Sequence, residues 1–125
     1  MTFDHFAQRI IEGLGIVATP ERVRFMLAWA ACEGGNARFN PLNTTYEVTG
    51  STRYNQAGVQ HYRDATMGTA ATLLTLRLGY YADIRAALGA KGLTAYEIAV
   101  RSTAGIQKWG TNPHCVTATL GRTAY

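Results

Sequence analysis

Apolar residues recur at helical spacing in the first third of the chain. Residues 3–14 carry one apolar stripe, which predicts an amphipathic helix ending near Gly13–Gly15. Thr19 is a typical N-cap and Pro20 suits the first helical position, so a second helix is predicted from Pro20 to about Glu33. Apolar side chains cover most of its circumference, which is typical of a central, buried helix.

The helical period is lost from Gly34 to about Arg63. This tract is rich in Gly, Asn and Thr, and a short β-hairpin is predicted around the turn "TGS" at residues 49–51. Its strand residues would be Thr45, Tyr46, Val48, Thr52 and Tyr54. Irregular segments of roughly 30 residues are usually binding surfaces or disordered linkers, and the aromatic residues here argue against disorder.

Helical periodicity returns at about residue 66 and continues to the end of the readable pattern. A third helix stops near Gly79, a fourth is closed by Gly89, and a capping box of Thr94 and Glu97 begins a fifth that runs through Val100. The third helix has its apolar face at Met67, Ala70, Ala71, Leu74 and Leu78. The last part predicts one short helix before Trp109 and then irregular chain. The prediction is a single, mainly α domain over residues 1–125 with a small β element.

Composition and charge exclude some classes of protein but do not identify one. Hydrophobic residues make up 47% of the chain and charged residues 16%, which is typical of a globular protein. The net charge of +4 suits an anionic partner such as nucleic acid or a wall polymer, and equally a mildly basic soluble protein. No stretch approaches the roughly 20 apolar residues of a membrane span, and the start lacks a signal-peptide pattern, so we expect a cytoplasmic product without membrane insertion.

Two cysteines are too few for a disulfide framework, and the spacing alone leaves a single Cys32–Cys115 bridge undecided. The three histidines are scattered, so no metal and no cofactor are predicted.

Glu33 is the main candidate for chemistry. It lies four residues after Trp29 and seven after Met26, on the same helix stripe and at the helix C-terminus. Desolvation by these neighbours and the negative end of the helix dipole both predict a raised pKa for the carboxyl group. Such a group suits proton donation to a leaving-group oxygen, as in glycosidic bond cleavage. On the residues alone, a partly exposed acid at a fraying helix end remains the alternative.

Six strings carry a resemblance to a known family. In order across residues 28–112 they are "AWAACEGG", "NPLNTT", "YNQAGVQHY", "GTAATLLTL", "GYYADIRAAL" and "KWGTN". Together they resemble the lysozyme-like domains of bacteriophage cell-wall hydrolases, distant relatives of goose-type lysozymes and soluble lytic transglycosylases. The resemblance implies an α+β lysozyme-like fold, in which a helical core, a long polar loop and a hairpin form a cleft. It also implies cleavage of the β-1,4 bond between N-acetylmuramic acid and N-acetylglucosamine in peptidoglycan, with Glu33 as the general acid.

The resemblance also places residues around the substrate. Its glycine-and-glutamine segment implies that Gln60 and Tyr62 lie near the sugar. The opposite wall would then be formed by Asn43, Thr44 and Thr45, which offer hydrogen-bonding groups. The resemblance further implies a phage-encoded protein that acts in lysis or wall penetration, alone or beside other phage tail or endolysin domains.

Aromatic residues supply further candidates for sugar binding. Tyr54, like Tyr46 and Tyr62, could stack on a sugar face, and packing beneath the long loop is the alternative. Trp109 either contacts the substrate or fills the core or the floor of the cleft.

A second catalytic carboxylate is expected only if the reaction is a hydrolysis. Glu47 on the predicted hairpin and Asp64 before the third helix are the candidates, against plain roles as a surface acid and a helix N-cap. Inverting enzymes separate their two carboxyl groups by about 6.5–9.5 Å and retaining enzymes by about 5–5.5 Å. A transglycosylase needs one acid, because a hydroxyl of the substrate attacks.

Other functions remain as alternatives. A cysteine peptidase could use Cys32 with His61 or His114, although a helix C-terminus is unfavourable for a thiolate. No helix carries the basic, base-reading stripe of a nucleic-acid-binding protein, so no nucleic-acid partner is expected. The strongest alternative is a non-catalytic module that binds the wall or serves structurally in a virion.

Overall fold

The computed structural model describes residues 2–123, which form seven α-helices and one short β-hairpin. The elements are α1 (Phe3–Gly13), α2 (Pro20–Glu33), β1 (Thr52–Arg53), β2 (Gln60–His61), α3 (Ala65–Leu76), a 3₁₀ turn (Gly79–Tyr81), α4 (Ala82–Gly89), α5 (Ala95–Arg101), α6 (Thr103–Trp109) and α7 (Pro113–Thr123). The predicted mainly helical class with a small antiparallel element is confirmed.

Helix α2 is the centre of the core. The Thr19 side chain accepts from the Arg22 N–H, Pro20 occupies the first turn, and the helix ends at Glu33, so its predicted bounds are confirmed. Phe25 and Trp29 are fully buried, and α2 packs against α1, α5 and α7. The buried residues of α2 are Phe25, Met26, Ala28, Trp29 and Ala30, so the turn just before Glu33 is anchored in the core.

The predicted hairpin is in the wrong place. Strand β1 pairs with β2 rather than with residues 45–48, in the antiparallel register Thr52↔His61. The reversal lies at residues 54–59, where Gly58 adopts a φ of 88° and the Asn55 side chain accepts from the Val59 N–H. The "TGS" stretch is a turn, in which the backbone N–H and the hydroxyl of Ser51 both donate to the Val48 carbonyl. Residues 45–48 form no strand.

The predicted apolar face of α3 is also wrong in part. Ala70, Leu74 and Leu78 are exposed, and the buried face carries mostly small and hydroxyl-bearing residues together with Leu76. The side chain of Thr72 can be buried because its hydroxyl donates to the Gly68 carbonyl within the helix. At Gly68 an added Cβ would lie 1.9 Å from the Phe39 carbonyl oxygen, so the long loop packs directly on this face.

Residues 113–123 are helical, where irregular structure was predicted. Helix α6 ends before Gly110, which has a φ of 105°, and α7 begins at Pro113. Val116 and Leu120, one turn apart on α7, are buried in the core. Pro113 stands at the first position of α7, which is a common signal for the start of a helix, but the prediction from sequence did not take it into account.

A disulfide joins α2 to α7, which decides the question that spacing left undecided. Cys32 and Cys115 are bonded, with their Cα atoms 6.0 Å apart and a sequence separation of 83. None of the helices in residues 2–123 is both long enough and apolar enough to cross a membrane.

Candidate functional site

The two glycines after Glu33 each have a separate structural role. Gly34 ends α2 in the left-handed conformation, with φ 56°, and donates its N–H to the Ala30 carbonyl. Gly35 leaves room for the long loop to return, because a Cβ there would lie 2.4 Å from the Asn43 side-chain oxygen. The "EGG" sequence therefore ends the helix and lets Asn43 approach Glu33.

Both oxygens of the Glu33 carboxylate accept hydrogen bonds. The Thr111 hydroxyl donates to Oε1 at 2.5 Å, and the Asn43 amide donates to Oε2 at 3.0 Å and to the Glu33 backbone carbonyl at 3.3 Å. Asn43 holds this position with a φ of 58°, a conformation that asparagine tolerates better than most residues. The carboxylate is partly buried and fixed from two sides, unlike an acid on a fraying helix end.

Thr111 connects Glu33 to the core. Its hydroxyl oxygen also accepts from the Trp29 indole N–H at 2.9 Å, and Trp29 is fully buried. An indole nitrogen can only donate, so the single hydroxyl hydrogen of Thr111 is directed to Glu33. The Thr111 backbone N–H donates to the Ile106 carbonyl, which fixes the turn between α6 and α7.

A small polar pocket, with a volume of about 60 Å³, lies at Asn43, and the Glu33 carboxylate is not one of its lining groups. Asn43 belongs both to the pocket wall and to the Glu33 contact. The lining residues are Asn43, Thr44, Thr45, Thr75, Tyr81 and Trp109. The pocket therefore brings together four predicted site residues and adds Thr75 and Tyr81, which the sequence reading missed.

Aromatic residues form one side of the pocket. Trp109 donates its indole N–H to the Leu42 carbonyl and packs edge-on against Trp29 and Tyr81, each with ring centroids 5.0 Å apart. Burial raises the pKa of Tyr81, and the neighbouring Tyr80 phenol adds to the rise. The Tyr81 hydroxyl therefore stays neutral at physiological pH and can both donate and accept.

A larger cavity lies elsewhere along the long loop. Its volume is about 300 Å³, and its lining includes Phe3, Ala37, Phe39 and Pro41 but no carboxylate. Size alone would favour this cavity, but an acid–base reaction needs a titratable group in reach of the substrate. The smaller pocket is connected to such a group through Asn43, which lines the pocket and donates a hydrogen bond to Glu33.

Gln60 and Tyr62 lie inside the molecule rather than on an open surface. The Gln60 amide accepts from the Ser51 hydroxyl and donates to the Gly58 carbonyl. The Tyr62 hydroxyl donates to the Tyr46 carbonyl at 2.5 Å, and burial raises the pKa of Tyr62 to about 12. Both side chains support the long loop here, and a contact with sugar would require these bonds to open.

Tyr54, Glu47 and Asp64 lie outside the pocket lining. Tyr54 is 40% exposed and makes a T-shaped ring contact with His61. Glu47 is exposed in the long loop. Asp64 caps α3 by accepting from the Met67 N–H, and its other oxygen lies 4.0 Å from the Arg63 Nε. In the part of the chain that the structure describes, no carboxylate, Glu33 included, is among the residues that line the pocket at Asn43.

Two alternatives from the sequence can be compared with these contacts. Cys32 is disulfide-bonded and so has no thiolate to act as a nucleophile, which makes the cysteine-peptidase reading wrong for this state of the protein. Among residues 2–123, His, Cys, Asp and Glu side chains form no group of three that could hold a metal ion.

Comparison of the chain with protein-family models, with curated proteins and with solved structures finds no match. The site is therefore defined by its own contacts. Thr111 is the most important residue that sequence reasoning missed, although it lies inside the quoted string "KWGTN". The only signal for Thr111 in the sequence was its position as a hydroxyl residue directly after a glycine that follows a predicted helix.

Proposed function

We propose that this protein cleaves the glycan strands of peptidoglycan at the β-1,4 bond between N-acetylmuramic acid and N-acetylglucosamine. Glu33 is the general acid. The observation that carries the proposal is a partly buried carboxylate, fixed by Thr111 and by Asn43, which also lines a polar pocket. The choice of substrate and bond comes from the lysozyme-like resemblance, and the fixed position of Glu33 supports the acid role.

The pocket wall offers polar and aromatic groups to one substituent of a carbohydrate, because a volume of about 60 Å³ is smaller than a sugar ring. Hydroxyl and amide groups from Thr45, Thr75 and Asn43 can exchange hydrogen bonds with sugar hydroxyls, and Trp109 and Tyr81 add aromatic surface. The net charge of +4 favours approach to an anionic cell wall.

Transglycosylation is proposed over hydrolysis because Asp64 is engaged as the cap of α3 and Glu47 is exposed in the long loop. In that reaction the Glu33 proton goes to the leaving oxygen of N-acetylglucosamine as its bond to C1 of the muramic acid breaks. The resulting carboxylate then takes the proton of the C6 hydroxyl of the same muramic acid, whose oxygen bonds to C1. Glu33 is protonated again at the end, and the product has a 1,6-anhydro end. Hydrolysis with Glu47 or Asp64 activating water is the alternative.

Mass spectrometry of soluble fragments from purified cell walls tests this proposal. We expect the protein to release muropeptides with anhydro ends, which are lighter by one water than hydrolysis products. Glu33→Gln removes the transferable proton and should slow the release by about 10²- to 10⁴-fold. Glu12→Gln, which changes an exposed acid on α1, should behave like the unmodified protein.

Each other outcome has a defined meaning. Fragments with reducing ends, lost in Glu47→Gln or Asp64→Asn, would replace transglycosylation by hydrolysis. Retention on walls without release of fragments would contradict the enzyme proposal and support a non-catalytic wall-binding or structural module.

A further inference from the structure

The Trp29–Thr111–Glu33 chain has a feature that a merely structural bond would not need. Thr111 is 6% exposed, and its one hydroxyl hydrogen is directed to a carboxylate oxygen by a donor, Trp29, that cannot reverse its role. A buried hydroxyl could instead have been paired with a backbone carbonyl, as the Thr72 hydroxyl is on α3.

We infer that Thr111 is a positioning residue for Glu33, an inference that rests on the proposed function. Its hydrogen bond fixes the orientation of the carboxylate and offsets the negative charge that forms when the proton leaves for the glycan. The donor is already in place before the reaction, so no reorientation is needed during the proton transfer.

The local fold explains why Thr111 can take this role. Gly110, with its positive φ, turns the chain sharply after α6, and the Thr111 N–H donates to the Ile106 carbonyl. The disulfide joins Cys32, the neighbour of Glu33, to Cys115 at the start of α7. The donor and the acceptor therefore lie on two segments that are covalently joined nearby.

Kinetics of two Thr111 variants on soluble glycan strands test the inference. Thr111→Val keeps the shape but removes the hydroxyl, and we expect kcat to fall by about 10- to 100-fold while KM changes little, because a hydrogen bond to a charged group is lost. Thr111→Ser keeps the hydroxyl and should restore most of kcat. Thr72→Val is the matched control for the loss of a buried threonine hydroxyl and should keep kcat.

The outcomes separate this inference from the proposed function. If Glu33→Gln is inactive while Thr111→Val has the kcat of the unmodified protein, the positioning role is wrong and the proposed function stands. If Glu33→Gln retains full activity, the proposed function is wrong. If Thr111→Val and Thr72→Val lose kcat equally, with equal falls in the urea unfolding midpoint, the effect is one of stability and the inference is overturned.

Discussion

The disulfide between Cys32 and Cys115 should contribute a large share of the free energy of unfolding. It closes a loop of 83 residues in the unfolded chain. The loss of chain entropy for a loop of that length corresponds to about 4–5 kcal/mol at 25 °C, and measured losses on removing native disulfides are about 2–5 kcal/mol. Domains of this size are stabilised by about 5–15 kcal/mol in total. Reduction should therefore leave the protein folded but with a much lower free energy of unfolding.

Urea unfolding followed by tryptophan fluorescence measures this effect, because Trp29 is buried and Trp109 packs against it. The oxidised protein, the protein in a phosphine reductant, and the double variant Cys32→Ser/Cys115→Ser are compared. With a urea dependence of about 1–3 kcal/mol per molar, the midpoint should fall by more than about 1 M on reduction. The reductant should not move the midpoint of the double variant. Equal midpoints for the oxidised and reduced proteins would refute the loop-entropy argument.

Two further predictions concern the long loop. Burial raises the pKa of Tyr62 to about 12, above its ordinary value of 10, so the folded protein holds this proton more tightly than the unfolded chain. The free energy of unfolding should therefore fall as pH rises from about 10 to 12, and Tyr62→Phe should remove that part of the fall in urea titrations; an unchanged slope would contradict it. Gly35→Ala should lower wall-cleaving activity by at least about tenfold, because the added Cβ displaces Asn43 from Glu33. Gly34→Ala, where the space is open but φ is positive, should instead lower stability by about 1 kcal/mol and keep activity; the opposite pattern would contradict this account of the two glycines.

Short-range sequence signals correctly predicted helix α2, which carries Glu33 at its end. The Thr19 cap, Pro20 and Gly34 each act within a few residues, so the bounds of α2 and the place of Glu33 at its end could be read directly. The capping box of Thr94 and Glu97 was equally local and is present.

The predictions that were wrong concern features that depend on contacts between distant segments of the chain. The buried face of α3 includes Gly68 and Thr72 because the loop at Phe39 packs there, which helical periodicity cannot reveal. The strand pairing was misplaced since two turn signals lie close together, and only the one before Gly58 reverses the chain. Thr111 reaches Glu33 across 78 residues of sequence, so no local pattern could pair them.

The rate at which cell walls release soluble fragments is the most direct test of Glu33 as the acid. Removing a general acid typically costs about 10²- to 10⁴-fold in rate. We predict a loss of that size for Glu33→Gln, with unchanged binding to walls and an unchanged urea midpoint. A variant that releases fragments as fast as the unmodified protein would contradict the account.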